Sequence, residues 1–343
     1  MTAPAPTPAR PTLKTHGELW LARGLRRFYG WWPRRLEACP PPAFTLYAIA
    51  PAAPPKAAQE GRDVAPPGQP PAIPRVVWAY WKGTAPPPLI RHCFAHWHRQ
   101  CPGYEIRVLD DVSVRTWLPE IPAVLDTVSP AKRADWIRLE LLRLHGGIWM
   151  DASTLLTAPL DWVLEQQART PADFVGYYLE RHTRDARYPV VENWFMAAPP
   201  GSRFIADLQH EFTTQVIHRT GAEYIAHLQQ LGVYDDVRQD IDAPDYLTMH
   251  LALQFILRTR GGYRLALSRA EDGPFYYHLL GRWRRTPLKL RLLFSLPSGA
   301  LPPLIKLRAP DRRRLDDYLA RGLYLPGSVA GQLLTGAQDL PPR

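Results

Sequence analysis

The sequence predicts an α/β fold with a mostly parallel central sheet flanked by helices. Three observations predict it. The run Arg75-Val76-Val77-Trp78-Ala79-Tyr80 is a short apolar strand pattern bounded by Pro74 and the Lys82-Gly83 turn. Leu89, Ile90, Cys93, Phe94 and Trp97 then mark one helix face ending near Cys101-Pro102-Gly103, and Tyr104 to Leu109 follows as a second strand. Strand, helix, strand in this order is the unit of a parallel sheet, whose ligands gather at the carboxyl ends of the strands.

The next element is the most informative. Ser129 suits a helix cap and Pro130 the first helical position. Ile137, Leu141 and Leu144 share a face, and Gly146-Gly147 stops the helix. Ile148-Trp149-Met150 is a brief apolar strand that delivers Asp151 to its end. Farther on, Phe174 to Leu179 and Trp194 to Ala198 read as strands. Ser202 to Val216, Glu223 to Leu231 and Tyr246 to Arg260 read as helices, and a short helix is expected over Asp311 to Ala320.

Residues 1–72 read as a Pro- and Ala-rich extension, 73–285 as the catalytic domain and 286–343 as a basic, Pro-rich C-terminal region. Pro51 to Pro74 is too polar and too rich in Pro, Ala and Gly to offset the entropy of ordering, so a linker is expected there. Before it, Glu18 to Arg35 places Leu21, Leu25, Phe28 and Trp32 at helical spacing among arginines. Such a helix suits an anionic membrane surface, and it equally suits packing on the protein's own surface.

The chain has 343 residues, 46 % of them hydrophobic, which is enough for a sizeable core. Its formal net charge of +10 suits a phosphate-bearing substrate, acidic lipid or nucleic acid, or simple solubility. No zinc-finger spacing, RNA-binding signature or recognition helix is present, so no nucleic-acid partner is expected. Cys39, Cys93 and Cys101 form neither a disulfide framework nor a zinc pattern. The N-terminal residues lack the order of a secretory signal and no apolar run is long enough to cross a bilayer. A cytoplasmic location is expected, peripheral on the inner face of the membrane if the basic helix binds lipid.

Asp135 and Arg138 are three residues apart and share a helix face, and the same helix leads into Asp151. A carboxylate, a guanidinium and a second carboxylate at one sheet edge can hold a sugar diphosphate. Asp151 offers oxygen to Mg²⁺ or Mn²⁺, Arg138 offers a bidentate fork to phosphate, and Asp135 accepts from sugar hydroxyls or orients Arg138. A plain helix salt bridge beside a turn aspartate has the same spacing.

Ala134-Asp135-Trp136-Ile137-Arg138, Leu141-Leu142 and Gly146-Gly147-Ile148-Trp149-Met150-Asp151-Ala152-Ser153 together resemble the signature of the capsular polysaccharide synthesis protein family. That family is similar to Asp-x-Asp glycosyltransferases of the alpha-mannosyltransferase-like and glucosylating-toxin groups. Ile73 to Trp81, Glu192-Asn193-Trp194-Phe195-Met196-Ala197, and Asp245-Tyr246 with His250 extend the likeness over roughly residues 73 to 280. The resemblance implies a GT-A-like fold and a glycosyltransferase that moves sugar from a nucleotide-sugar donor to a saccharide or glycolipid acceptor. It points to surface polysaccharide synthesis and suggests retention of anomeric configuration.

Carried onto this chain, the resemblance places Ala79, Tyr80 and Trp81 beside the nucleotide base. Asp135, Arg138, Gly147, Trp149 and Ser153 complete the donor site. Asp151 takes the first acidic position of the metal motif, Ser153 stands where a second aspartate is expected, and His278 is a downstream metal ligand. Glu192 and Asn193 are candidates for the catalytic face opposite the leaving group. Trp283 and its neighbours Arg282, Arg284 and Arg285 could cover a diphosphate or rest on lipid. The uncharged Ser153 also suits a different protein, a non-catalytic carbohydrate-binding or scaffolding chain with a decayed transferase site.

Overall fold

A computed structural model describes residues 13–51, 70–83 and 85–335. Most of the expected linker therefore lies outside the described residues.

The chain opens with helix α1 (Leu13–Trp31) and two strands, β1 (Arg34–Leu36) and β2 (Phe44–Ile49). The expected first strand follows as β3 (Val76–Tyr80), then α2 (Pro88–Gln100), β4 (Glu105–Leu109), the single-turn α3 (Val114–Trp117) and α4 (Pro130–His145). Next come β5 (Gly147–Met150), β6 (Thr154–Leu156), α5 (Asp161–Arg169), β7 (Phe174–Tyr178) and β8 (Val191–Ala198). Three helices flank the far side: α6 (Arg203–Glu211), α7 (Gly221–Gln230) and α8 (Tyr234–Arg238). They lead to α9 (Thr248–Thr259) and β9 (Tyr263–Arg269). The C-terminal part adds α10 (Tyr276–Leu280), α11 (Arg285–Phe294), β10 (Ser295–Pro297) and β11 (Leu304–Lys306). It ends in α12 (Ala309–Arg312), α13 (Leu315–Ala320) and α14 (Val329–Leu333).

The central sheet has the order β2-β9-β7-β8-β5-β3-β4. Strands β3, β4, β5, β7 and β9 run one way, while β8 and β2 run the other. The α/β class stands, and the sheet is mixed where pairing is concerned because β8 is inserted antiparallel between β5 and β7. This insertion matters for the site. Parallel β3 and β5 end at the same edge, and β8 begins there.

Alternation within each strand divides the core between the two faces of the sheet. Val77, Ala79, Ile148 and Met150 face one cluster, which contains Phe94 and Trp97 of α2 and Leu292 of α11. Trp78, Tyr80 and Trp149 face the other, with Ile137 and Leu141 of α4, Leu208 of α6 and Leu253 of α9. Both faces are covered, so β3 and β5 are apolar throughout rather than alternating.

The sequence boundaries around residues 72 and 286 do not separate bodies. Strand β2, inside the expected extension, is one of the two edge strands of the central sheet, with Phe44 opposite Ser268 and Ile49 opposite Tyr263. Strand β1 pairs with β10, and β11 pairs with β6. These short strands carry little alternation, which is why pattern reading missed them. The expected single helix near the end is two, broken where Arg314 takes φ 65°.

Candidate active site

Helix α4 aims the site. Ser129 Oγ accepts from Lys132 N at 3.2 Å, Pro130 fills the first turn, and Gly146 closes the helix at φ 63°. Gly147 follows at φ 100°, and a Cβ there would meet Val76 O at 2.7 Å. Two glycines are thus needed to turn the chain from helix into β5 in the space available. Trp78 Nε1 donates to Gly146 O at 2.8 Å and pins that turn against β3.

The turn sets up three side chains. Arg138 Nη1 donates to Asp135 Oδ1 at 2.6 Å, and its Nη2 donates to Asp151 Oδ1 at 2.9 Å. Asn193 Nδ2 donates to the same Asp135 oxygen at 3.2 Å. Trp149 Nε1 donates to Asp151 Oδ1 at 3.1 Å, and the Arg138 guanidinium lies 4.9 Å from the Trp149 ring centroid. Asp135, Arg138, Trp149, Asp151, Ser153 and Asn193 all line one open cavity of about 700 Å³, within the range that holds a nucleotide-sized ligand. Tyr80 and Trp81 line it from the end of β3.

The two carboxylates are pulled apart electrostatically. Burial raises Asp135 to about 6, with Arg138 opposing and Asp151 adding to the rise. Burial works on Asp151 as well, but Lys306 and then Arg138 outweigh it and hold that carboxyl below its ordinary range. Asp151 is half-buried, with 31 % of its side chain exposed, and it lines the cavity. Asp151, paired directly with two cations, is held toward the charged form, while Asp135, paired directly with Arg138 and only weakly aided by Lys132, sits nearer neutrality.

Lys306 is the residue that sequence reading missed. Its Nζ donates to Asp151 Oδ2 at 2.6 Å and lies 5.5 Å from the Trp194 ring centroid. Strand pairing puts it there: Lys306 stands opposite Thr154, and Leu307 N donates to Ser153 O at 2.9 Å. The only signal was Leu304-Ile305-Lys306-Leu307, a short apolar stretch between prolines and arginines in a segment read as tail. Arg312, from the following α12, also lines the cavity. Arg138 and Arg312 each hold a buried Nε without a hydrogen-bond partner among the described residues. Both guanidinium groups belong to the cavity lining, where a cationic fork can pair with an anion.

Other expected residues fall elsewhere. Ala79 is buried in the core, and Gly147 acts as the turn glycine behind the site. Glu192 is buried behind the lining, 4.0 Å from His250 Nε2. Burial, reinforced by Glu271, raises Glu192 to about 7, while burial drives His250 down to about 3. His250 and Asp245 do line the cavity. His278 does not: its Nε2 bonds to Asp311 Oδ2 at 2.9 Å, and burial lowers its basicity despite that partner. Trp283 lies against Arg308 and Phe275 rather than over the site.

These positions do not fit a divalent cation. Asp151 has about four lone-pair sites, and three accept from Arg138, Trp149 and Lys306. The Ser153 hydroxyl donates to Leu307 O at 2.8 Å. With His278 held by Asp311, the expected trio of Asp151, Ser153 and His278 is not assembled. Among the described residues no group of three His, Cys, Asp or Glu side chains is placed to hold a metal ion. A dication here would also face two fixed cations.

Comparison with known proteins agrees with the family resemblance. The model of the family described as capsular polysaccharide synthesis protein matches residues 63–224, the stretch that contains α4, Asp151 and Asn193. O-glycosyltransferase braB of Annulohypoxylon truncatum is 28 % identical over 148 residues, covering 38 % of this chain and 34 % of that protein. Putative glycosyltransferase HOC1 of Saccharomyces cerevisiae is 23 % identical over 153 residues, covering 40 % and 38 %. The chain thus spans little more than a third of the length of these relatives. Superposition on the PaToxG glycosyltransferase gives a TM-score of 0.34 at 14 % identity, covering 55 % of this chain and 79 % of that one. The galactosyltransferase LgtC with donor and acceptor sugar analogues gives 0.35 at 11 % identity, covering 77 % and 98 %.

Proposed function

We propose that this chain is a glycosyltransferase of GT-A-like architecture that moves a sugar from a nucleotide-sugar donor to a saccharide or glycolipid acceptor. The observation that carries the reading is the meeting of Asp135, Arg138 and Asp151 at one cavity, inside the family-matched stretch. The family description supports surface polysaccharide as the setting, and the resemblance supports retention of anomeric configuration.

In this reading Tyr80 and Trp81 border the base. Tyr80 is held rigid, its hydroxyl donating to Asp111 Oδ1 at 2.5 Å and accepting from Arg133 Nε at 3.3 Å. Asp135, steadied by Asn193, accepts from donor sugar hydroxyls. Arg138 and Arg312 face the charge that grows on the leaving nucleoside diphosphate. Groups fixed before reaction stabilise that charge without reorganising, which is where most of such catalysis resides. Lys306 does not line the cavity. It neutralises Asp151 from behind, so that Asp151 holds Arg138 without repelling the diphosphate. The test is chromatography of products after incubation with a panel of nucleotide sugars: sugar transfer or donor hydrolysis is expected, and it is lost in Arg138→Ala.

The second reading, a carbohydrate-binding chain without turnover, draws on Ser153, whose hydroxyl is committed to Leu307 O. It expects nucleotide or sugar binding with no product from any donor.

A further inference from the structure

We propose that α1 is a docking element for an anionic phospholipid surface. One face of this helix is fixed to the protein. Leu19 and Ala22 are buried, and Leu25 and Tyr29 pack against the core. Glu18, the helix's one acidic residue, turns inward to Arg314, to Tyr318 Oη at 3.1 Å and to Lys289 Nζ at 3.5 Å.

The opposite face therefore has one orientation, outward, and it is aromatic. Trp20, Leu21, Phe28, Trp31 and Trp32 are 73, 56, 61, 86 and 76 % exposed. Residues 20, 24, 27 and 31 form one stripe, with 21, 28 and 32 beside it. A lone exposed apolar side chain needs no explanation, whereas five large exposed apolar side chains along the outward side of one helix, four of them aromatic, form a ridge that marks a surface something covers.

The chemistry of the flanks selects the occupant. Arg23 and Arg27 line a groove with Trp20 and Trp31, and Arg321 closes it from the C-terminal part. On the other side Leu21 and Leu25 line a groove with Arg285 and Lys289 of α11, where Glu18 also lies, paired with Lys289 and Arg314. The ridge thus has arginines on both sides and no acidic residue on its outward face. Tryptophan favours the level of lipid headgroups, and arginine beside it pairs with phosphate while its stem lies on apolar surface. No helix among the described residues is long and apolar enough to cross a membrane, so α1 would lie on the surface. This proposal does not depend on the catalytic reading, because vesicle binding is measured without a nucleotide.

The test is co-sedimentation of the full chain with vesicles of phosphatidylglycerol and phosphatidylcholine, against vesicles of phosphatidylcholine alone. Binding is expected to the anionic vesicles, weakening as salt rises. Trp20→Ser with Trp31→Ser should lower the partition coefficient by at least about tenfold. Arg23→Glu with Arg27→Glu should abolish the preference for anionic lipid. Both pairs alter exposed side chains, and an unchanged unfolding midpoint confirms that each variant is folded. Absence of co-sedimentation, or equal binding by wild type and the tryptophan variant, overturns the proposal. So does a dimer that the tryptophan variant converts to monomer while vesicle binding is nil, which would assign the ridge to a second copy of the chain.

Discussion

Lys306 Nζ reaches Asp151 Oδ2 at 2.6 Å across 155 residues of sequence, joining the C-terminal strand to the loop that carries the acidic motif. The contact is nearly enclosed, with 9 % of the lysine side chain exposed. Removing one partner of such a pair leaves a charge without its counter-charge. Lys306→Ala should destabilise the fold by about 2–3 kcal/mol, at the low end for buried pairs because Asp151 stays partly open and keeps Arg138. Urea unfolding measures this. Lys306→Arg should recover most of the loss, whereas a packing role alone would favour Lys306→Met.

The same contact bears on metal dependence. With Arg138 and Lys306 already on Asp151, donor binding should change less than about twofold on adding a chelator or Mn²⁺, a difference under roughly 0.4 kcal/mol. Calorimetric titration of nucleoside diphosphates with and without Mn²⁺ checks it. A tenfold or greater gain with Mn²⁺ would show that the ion pair gives way to a cation.

Arg138 is the hinge of the constellation, since among the described residues it alone hydrogen-bonds both Asp135 and Asp151. Arg138→Lys keeps the charge but loses the fork. Nucleoside diphosphate affinity should fall roughly tenfold, about 1.4 kcal/mol, and Arg138→Ala should cost more because two facing carboxylates lose their shared cation.

Glu192 makes a pH prediction. Its folded value, about 7, lies above the ordinary 4.5, so the folded state holds the extra proton between those values. Its contribution to stability is therefore present at low pH and falls as pH rises from about 4.5 to about 7. His250, held near 3, acts in the opposite sense below pH 6.5. Comparing wild type with Glu192→Gln isolates the carboxylate: the variant should gain up to about 3 kcal/mol relative to wild type as pH rises through that window. Thermal unfolding across pH reads the difference.

Gly146 and Gly147 are legible in the sequence as a helix stop, and their packing against neighbouring backbone requires both. A Cβ on Gly146 would stand 2.5 Å from Pro200 N, in addition to the positive φ. Gly146→Ala should cost more than the roughly 1 kcal/mol of a positive-φ alanine alone, because backbone must move as well. Chemical denaturation measures it.

What could be read ahead was what local spacing encodes. Ser129 capping, the three-residue step from Asp135 to Arg138 and the delivery of Asp151 follow from helix period and turn chemistry, and the three groups do meet. Lys306 and Arg312 follow from pairing between β6 and β11, which leaves no periodic trace in a three-residue strand. His278 shows the reverse error: sequence order placed it near the site, while burial against Asp311 took it away. Strand β2 was hidden by its neighbours, since a Pro-rich setting masks an edge strand whose pairing is supplied by β9.

The most direct measurement is calorimetric titration of a nucleotide-sugar panel into the full chain and into Arg138→Ala. At least one nucleotide sugar should bind the full chain, with affinity lowered at least about tenfold in the variant. Failure of every donor to bind, or equal binding to both proteins, would contradict the transferase reading.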